Sequence, residues 1–357
     1  MKRGVTIRPY GPGDEEGIVR LFNQCFGEGL DMAKWRWRFR HNPAGQPAIV
    51  VAESGGEIVG HCSYQPARFM VDGVSKIGAQ HCHLMVRSDH RGGRGPERLS
   101  YRLLCTLRSM AFGFGYDFIF YAPNRFSLWM ADHPVTGAPK VMDLPQMVKP
   151  LNPLYLVRRP PGTGLLRLGR RLWSPGFLLR RPAGVHEAEG FDGRFDRLWR
   201  LVNEGYRMIM IRDSDYLRWR FMSPAGGPGE GLRLHPYRLH VREGEGGLLG
   251  YAMVRVREEG GWRIGYLVDM LARSDDTSTL RLLAKAALSD CRRDEADAVR
   301  CWMPGPYRAR AVLRDLGFLP RPLAVGWRAR LVTPEGRPDA PIDATGWYLT
   351  LGDGDGI

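Results

Sequence analysis

The sequence predicts an α/β (α+β) fold in two tandem domains, each a mixed, mostly antiparallel central sheet flanked by helices. Three observations carry that expectation. The chain has 357 residues, too many for one average domain. Its first half alternates short apolar runs with turn signals and then gives a strand, a Gly/Arg turn and a helix. Its second half repeats landmarks of the first in the same order.

The repeat fixes the division. Trp37-Arg38-Phe39 before Pro43-Ala44-Gly45 recurs as Trp219-Arg220-Phe221 before Pro224-Ala225-Gly226, and Glu57-Ile58-Val59-Gly60-His61 as Gly247-Leu248-Leu249-Gly250-Tyr251. Val86-Arg87-Ser88-Asp89 recurs as Ala272-Arg273-Ser274-Asp275. The offsets are 182 (219 minus 37), 190 (250 minus 60) and 186 (273 minus 87). The expected domains are 1–153 and 191–325, joined by a basic Arg/Leu/Pro-rich linker over 154–190 and followed by a tail over 326–357.

In chain order, Val5 to Arg8 reads as a strand and Glu15 to Phe26 as a helix with Ile18, Leu21, Phe22 and Phe26 on one face. Trp35, Trp37 and Phe39 alternate with Arg36, Arg38 and Arg40. Such alternation suits nucleic-acid stacking or a helix pinned by its aromatics with arginines in water; the second is favoured. Ser54-Gly55-Gly56-Glu57 and Asp72-Gly73 mark hairpins. Gln80 to Val86 reads as a buried strand, Leu99 to Phe112 as a helix, and a further helix runs to about Asp132. Val141 to Lys149 is expected as the last strand of the first half. In the second half the strand Tyr266 to Leu271 leads to Asp276-Thr277-Ser278-Thr279-Leu280, a turn without glycine. The tail carries an apolar piece, Gly346 to Leu351, before Asp353 and Asp355, which are expected to be solvated; no metal site is expected.

Hydrophobic residues at 43% and charged residues at 25% are ordinary for globular chains, whereas the formal net charge of +14 is not. Such a balance favours polyanions, anionic membrane surfaces, acidic proteins or phosphorylated small molecules. Arg158, Arg159, Arg167, Arg170, Arg171, Arg180 and Arg181 sit among leucines, which suits an amphipathic docking element or a linker packed on both halves. There is no specific nucleic-acid motif and no apolar run long enough to span a bilayer. Six widely spaced cysteines (Cys25, Cys62, Cys82, Cys105, Cys291, Cys301) without a CxxC pair read as reduced thiols, so a cytoplasmic location is expected.

The chemistry concentrates between Gln80 and Asn124. Arg91-Gly92-Gly93-Arg94-Gly95 permits a sharp turn into the start of a helix, where free N–H groups, the positive dipole end and arginines suit a phosphate or pyrophosphate. His81 and His83 stand two apart on the preceding strand and are expected on one face; neutral imidazole is a fitting proton acceptor. Cys82 is expected on the opposite face, and Glu53 and His61 are weaker candidates.

This order of elements, with Leu84-Met85-Val86 ending the central strand, the Arg91 to Pro96 turn, and Tyr121-Ala122-Pro123-Asn124-Arg125-Phe126-Ser127 after it, resembles the GCN5-related N-acetyltransferase (GNAT) superfamily, in tandem form with a degenerate second copy. The resemblance implies acetyl-CoA or another acyl-CoA as cofactor, held by Leu84, Met85, Val86, Arg91, Gly92, Gly93, Arg94, Gly95, Asn124 and Ser127. It implies direct acyl transfer to an amine, with His83 and His81 as catalytic candidates and the backbone N–H near Met85 stabilising the oxyanion. Read from Arg91, the motif has Arg94 and Pro96 where the family's glycines belong; read from His90, it keeps Gly93 and Gly95 but loses the leading Gln/Arg. Ala131 stands where many members carry a tyrosine acid. The basic charge favours a small, acidic or phosphorylated amine acceptor. Two alternatives stay open: a larger anionic donor, an acyl carrier protein or aminoacyl-tRNA, and a non-catalytic CoA-sensing protein.

Overall fold

The computed structural model describes residues 4–27, 29–123, 127–133, 137–156, 181–224, 232–234, 236–321, 323, 326–332 and 346–354. Asn124, Ala225, Gly226, Asp355 and most of the expected linker, Arg158 to Arg180, lie outside them.

The first half opens with β1 (Thr6–Pro9), α1 (Glu15–Phe26) and α2 (Met32–Arg40). Strands β2 (Ala48–Ser54), β3 (Glu57–Val71) and β4 (Val74–Val86) then form an antiparallel meander. Strand β3 runs through Pro66 without a break. Helix α3 (Leu99–Met110) crosses to β5 (Phe118–Tyr121), which lies parallel to β4. A short helix α4 (Leu128–Ala131) and strand β6 (Lys140–Asp143) follow.

Val141 to Lys149 is two strands, not one. After Leu144-Pro145, where proline offers no N–H to a ladder, β7 (Gln146–Pro150) leaves the first sheet for the second. The second half supplies β8 (Val185–Ala188), α5 (Gly193–Val202), β9 (Met208–Met210) and α6 (Ser214–Phe221). A small ribbon of β10 (Ser223–Pro224) and β11 (Leu232–Arg233) precedes the meander β12 (Arg238–Gly244), β13 (Gly247–Glu259) and β14 (Trp262–Ala272). Then come α7 (Thr277–Arg293), β15 (Ala298–Trp302), α8 (Arg308–Asp315) and β16 (Leu319–Pro320). The tail gives β17 (Gly326–Leu331) and β18 (Trp347–Tyr348).

The first sheet runs β1-β2-β3-β4-β5-β17-β6 and the second β8-β12-β13-β14-β15-β7-β16. The two orders are the same, with one strand exchanged: β7 of the first half pairs β15, and β17 of the tail pairs β5 and β6. Strand β9 also joins β3, and β18 joins β9. Strand membership therefore does not follow a single cut in the chain.

One repeated landmark makes a reciprocal contact between the halves. Trp37 Nε1 donates to the Trp219 carbonyl at 3.1 Å, and Trp219 Nε1 to the Trp37 carbonyl at 3.0 Å. Trp35 and Phe39 are buried on the other side of α2, so its aromatics do pin the helix. The repeated glycine is a close approach: a Cβ at Gly60 would meet Leu103 of α3 at 2.9 Å, and one at Gly250 would meet Leu283 of α7 at 3.1 Å.

Among the described residues, no helix is long and apolar enough to cross a membrane. One core runs through both halves, from Phe69 and Phe120 to Trp327, Trp347 and Val268. Within it Arg212, 1% exposed, bonds Asp269 at 3.1 Å and Asp353 at 2.8 Å. Asp353 is thus not solvated as expected; it is an internal counter-ion that fastens the tail. Burial acts to lower the pKa of Arg212, but Asp269 and Asp353 outweigh it and hold the pKa well above the ordinary value. Replacing Arg212 by Met should lower stability by about 3–5 kcal/mol, because two buried carboxylates lose their cation. A loss under about 1 kcal/mol in urea unfolding would show that the cluster does not hold the halves together.

Candidate functional site

Strands β4 and β5 stay paired over three positions only, Gly78–Phe118, Ala79–Ile119 and Gln80–Phe120. A Cβ at Gly78 would lie 2.7 Å from the Phe118 ring, so glycine is what lets the strands approach there. Past Gln80 they part, and the edge of β4 from His81 to Val86 opens on a groove instead of a neighbouring strand.

At the fork the groove holds a cavity of about 320 Å³ lined by His81, Cys82, His83, Leu84, Leu104, Tyr121, Ser127, Met130 and Ala131. It continues, across Phe26, Leu84 and Met130, into a cavity of about 410 Å³ lined by Met85, Val86, Arg91, Gly92, Gly93, Arg98, Ser100 and Trp129. A third hollow of about 740 Å³ lies behind the turn, where Glu57, Asp89 and Glu97 balance Arg87, Arg91 and Arg102. It has no net preference for an anion.

Arg87 anchors the turn through Glu57 at 2.6 Å and Asp89 at 2.8 Å; with His90, it holds the Asp89 carboxyl well below the usual carboxylate range. Gly93 has φ +77°, a conformation that favours glycine, and a Cβ there would crowd the Glu97 backbone at 3.2 Å. Arg91 turns back, its Nε donating to the Val86 carbonyl at 2.7 Å. Helix α3 begins at Arg98 without a side-chain cap, so its first N–H groups are left to another acceptor. A glycine turn running into an uncapped helix is suited to a phosphate group.

Of the sequence candidates, His81, His83, Leu84 and Ser127 line the fork cavity, and Leu84, Met85, Val86, Arg91, Gly92 and Gly93 the turn cavity. Arg94 and Gly95 are exposed and line neither, and Asn124 lies outside the described residues. Sequence reading missed Arg98, whose guanidinium lies 4.6 Å from the Trp129 ring centroid and whose Nε donates to the Gly93 carbonyl at 3.3 Å. It also missed Phe26 as a groove residue; its place on the apolar face of α1 suggested core, yet it is 49% exposed. No sequence signal marked Trp129.

The two histidines do not share a face. A bulge opposite Cys62 interrupts the register of β3 and β4, and His83 takes φ +52°, a left-handed conformation rare outside glycine. His81 therefore packs against Tyr64 and Tyr121 on the α3 side, while His83 packs against Phe22 and Phe39 on the α1 and α2 side. Cys82 Sγ sits 3.3 Å from Ser63 Oγ. His61, fully buried, donates from Nδ1 to the His83 carbonyl at 2.8 Å and so braces the bulge. Glu53 is tied to Arg8 at 2.9 Å.

Burial pushes His61 and His81 down to about 4, and holds His83 well below its ordinary value with help from Arg38 and the other two rings. All three are neutral near pH 7.

In the second copy, internal groups occupy the corresponding backbone positions. Asp276 caps α7, accepting from Thr279 N at 2.9 Å. The tail lies against β14, where Tyr348 donates its hydroxyl to the Met270 carbonyl and Tyr206 donates to the Ala272 carbonyl at 2.8 Å.

A pH test follows from His61. Its folded pKa of about 4 lies below the unfolded 6.5, so between these values the unfolded chain binds more protons and stability rises with pH. From pH 7 to pH 4 this histidine should cost roughly 3 kcal/mol of stability. His61→Asn, which keeps a donor for the His83 carbonyl, should flatten the stability–pH curve by one proton; an unchanged slope would exclude His61 as its source.

Residues 6–126 match the family model described as the acetyltransferase (GNAT) domain. A search of curated proteins returned no match to the sequence. Among solved structures, a probable N-acyltransferase from Enterococcus faecalis is similar at 12% identity and a TM-score of 0.60, covering 92% of this chain and 72% of that one. N-myristoyltransferase of Saccharomyces cerevisiae with bound myristoyl-CoA is similar at 15% identity and a TM-score of 0.61, covering 91% and 82%. A GCN5-related N-acetyltransferase from Anabaena variabilis is similar at 11% identity and a TM-score of 0.58, covering 92% and 73%. At these identities the likeness is one of fold, and it spans both halves.

Proposed function

We propose that this chain, an acyltransferase whose residues 6–126 carry the GNAT domain, moves an acyl group from acetyl-CoA or another acyl-CoA directly to an amine of a small, acidic or phosphorylated acceptor. The observation that carries this reading is the continuous groove along the unpaired edge of β4, which joins the glycine turn and the uncapped start of α3 to the two neutral histidines. Gly92, Gly93, Arg98 and the first N–H groups of α3 hold the pyrophosphate. The pantetheine arm runs along Val86, Met85 and Leu84, and the thioester reaches the fork beside His81 and His83.

Transfer requires a proton acceptor for the amine and donors for the oxyanion. His83 lines the fork uncharged and is the acceptor. Since it resists protonation, it serves as a relay that passes the proton on to the departing sulfur. The net charge of +14 supports an anionic acceptor. The fork cavity, about 320 Å³, leaves room for acyl groups beyond acetyl, in keeping with the myristoyl-CoA that the yeast neighbour holds.

Calorimetry should detect acetyl-CoA or a longer acyl-CoA binding, weakened about tenfold, or ~1.4 kcal/mol, by Arg98→Ala. No binding of any acyl-CoA at millimolar concentration would remove the reading. His83→Ala and His81→Ala should each reduce turnover at saturating acyl-CoA by roughly 10²-fold or more; wild-type turnover in both would take the pair out of the mechanism. Because burial holds His83 below its ordinary range, the acid limb of kcat/KM should fall below pH 6.5, and a limb at or above that value would contradict the assignment.

A further inference from the structure

We propose that Cys62 is a positioning residue that holds His81 in the tautomer presenting Nδ1–H to the groove, so that the two histidines have different tasks. The inference rests on the reading above that His81 lies beside the thioester. Cys62 belongs to β3, is 0% exposed, and places its Sγ 3.2 Å from His81 Nε2. Buried away from water, the thiol keeps its proton, its pKa raised well above the ordinary value. The imidazole is neutral and carries one proton.

A ring nitrogen is a good acceptor and a thiol sulfur a weak one, so the S–H donates to Nε2 and the ring proton sits on Nδ1. The rings of Tyr64 and Tyr121, with centroids 5.8 and 5.5 Å away, clamp the imidazole edge-on and oppose a flip. Nδ1 makes no hydrogen bond among the described residues, and His81 lines the fork cavity.

An N–H directed into the groove cannot take a proton. It can donate a hydrogen bond to the oxygen that becomes negative on attack, or to the leaving sulfur. His83, whose ring makes no hydrogen bond among the described residues, is then the base. The step balances. The amine nitrogen bonds the thioester carbon and gives a proton to His83; the C–S electron pair leaves on sulfur; the His83 imidazolium returns the proton to that thiolate.

Nitrogen NMR of ¹⁵N-histidine-labelled wild-type protein should show His81 protonated on Nδ1 and bare on Nε2. Cys62→Ala should shift it toward the other tautomer and lower kcat about tenfold with KM for acyl-CoA unchanged. Cys62→Ser, which restores a donor, should return both the tautomer and most of the turnover. A wild-type His81 protonated on Nε2, a tautomer indifferent to Cys62→Ala, or wild-type kcat in Cys62→Ala despite a loss in His81→Ala would each overturn the proposal. The wild-type spectrum decides the matter even if Cys62→Ala does not fold. Full turnover in His81→Ala, with the spectra as expected, would instead sink the catalytic reading of His81 and leave the hold of Cys62 on the ring established.

Discussion

The parting of β4 from β5 after Gln80 is the constraint on which the rest of the molecule turns. An unpaired strand edge exposes N–H and C=O groups that must find partners, and closing the gap would satisfy them at the cost of the groove. The fork is kept open from behind. Gly78 lets Phe118 close in below it, and Gln80 donates its side-chain amide to the Asp353 carbonyl at 3.1 Å. The tail that carries Asp353 is itself fastened to Arg212 deep in the shared core. A residue near the end of the chain thus braces a strand in its first quarter.

The two halves share one plan, and among the described residues their forks are met differently. Both copies have the same strand order, the same glycine under the helix, and the same tryptophan at the contact between the halves. In the second copy β14 and β15 also pair over three positions. There, however, tyrosine hydroxyls meet the free carbonyls of β14 and Asp276 meets the free N–H groups of α7. The backbone demands are the same, and internal groups answer them in place of a ligand. The second half gives β7 its place and lends β9 to the first sheet.

Around the open fork the electrostatics divide by depth. The outer turn is rich in guanidinium groups in water, where they attract an anion and are screened by salt. The inner fork is lined by neutral imidazoles and apolar rings, a medium in which small partial charges count for more.

Much was legible in the sequence because it depends on local pattern. The helices Glu15–Phe26 and Leu99–Met110 follow from apolar spacing, the glycine turn from its composition, and the two-copy architecture from repeated motifs. What the sequence could not disclose depends on which distant segment meets which. Alternation predicted His81 and His83 on one face, but a bulge against β3 rotates one of them away. A single apolar run predicted one strand where two sheets share it, and Asp353 looked solvated because its partner, Arg212, lies 141 residues away. Periodicity and turn chemistry are properties of neighbours in the chain and determine the elements and the cradle. The identity of the groove's inner wall and the partners of its buried polar groups are decided only when β3, β4 and the tail come together, because burial and hydrogen-bond satisfaction are properties of the packed whole.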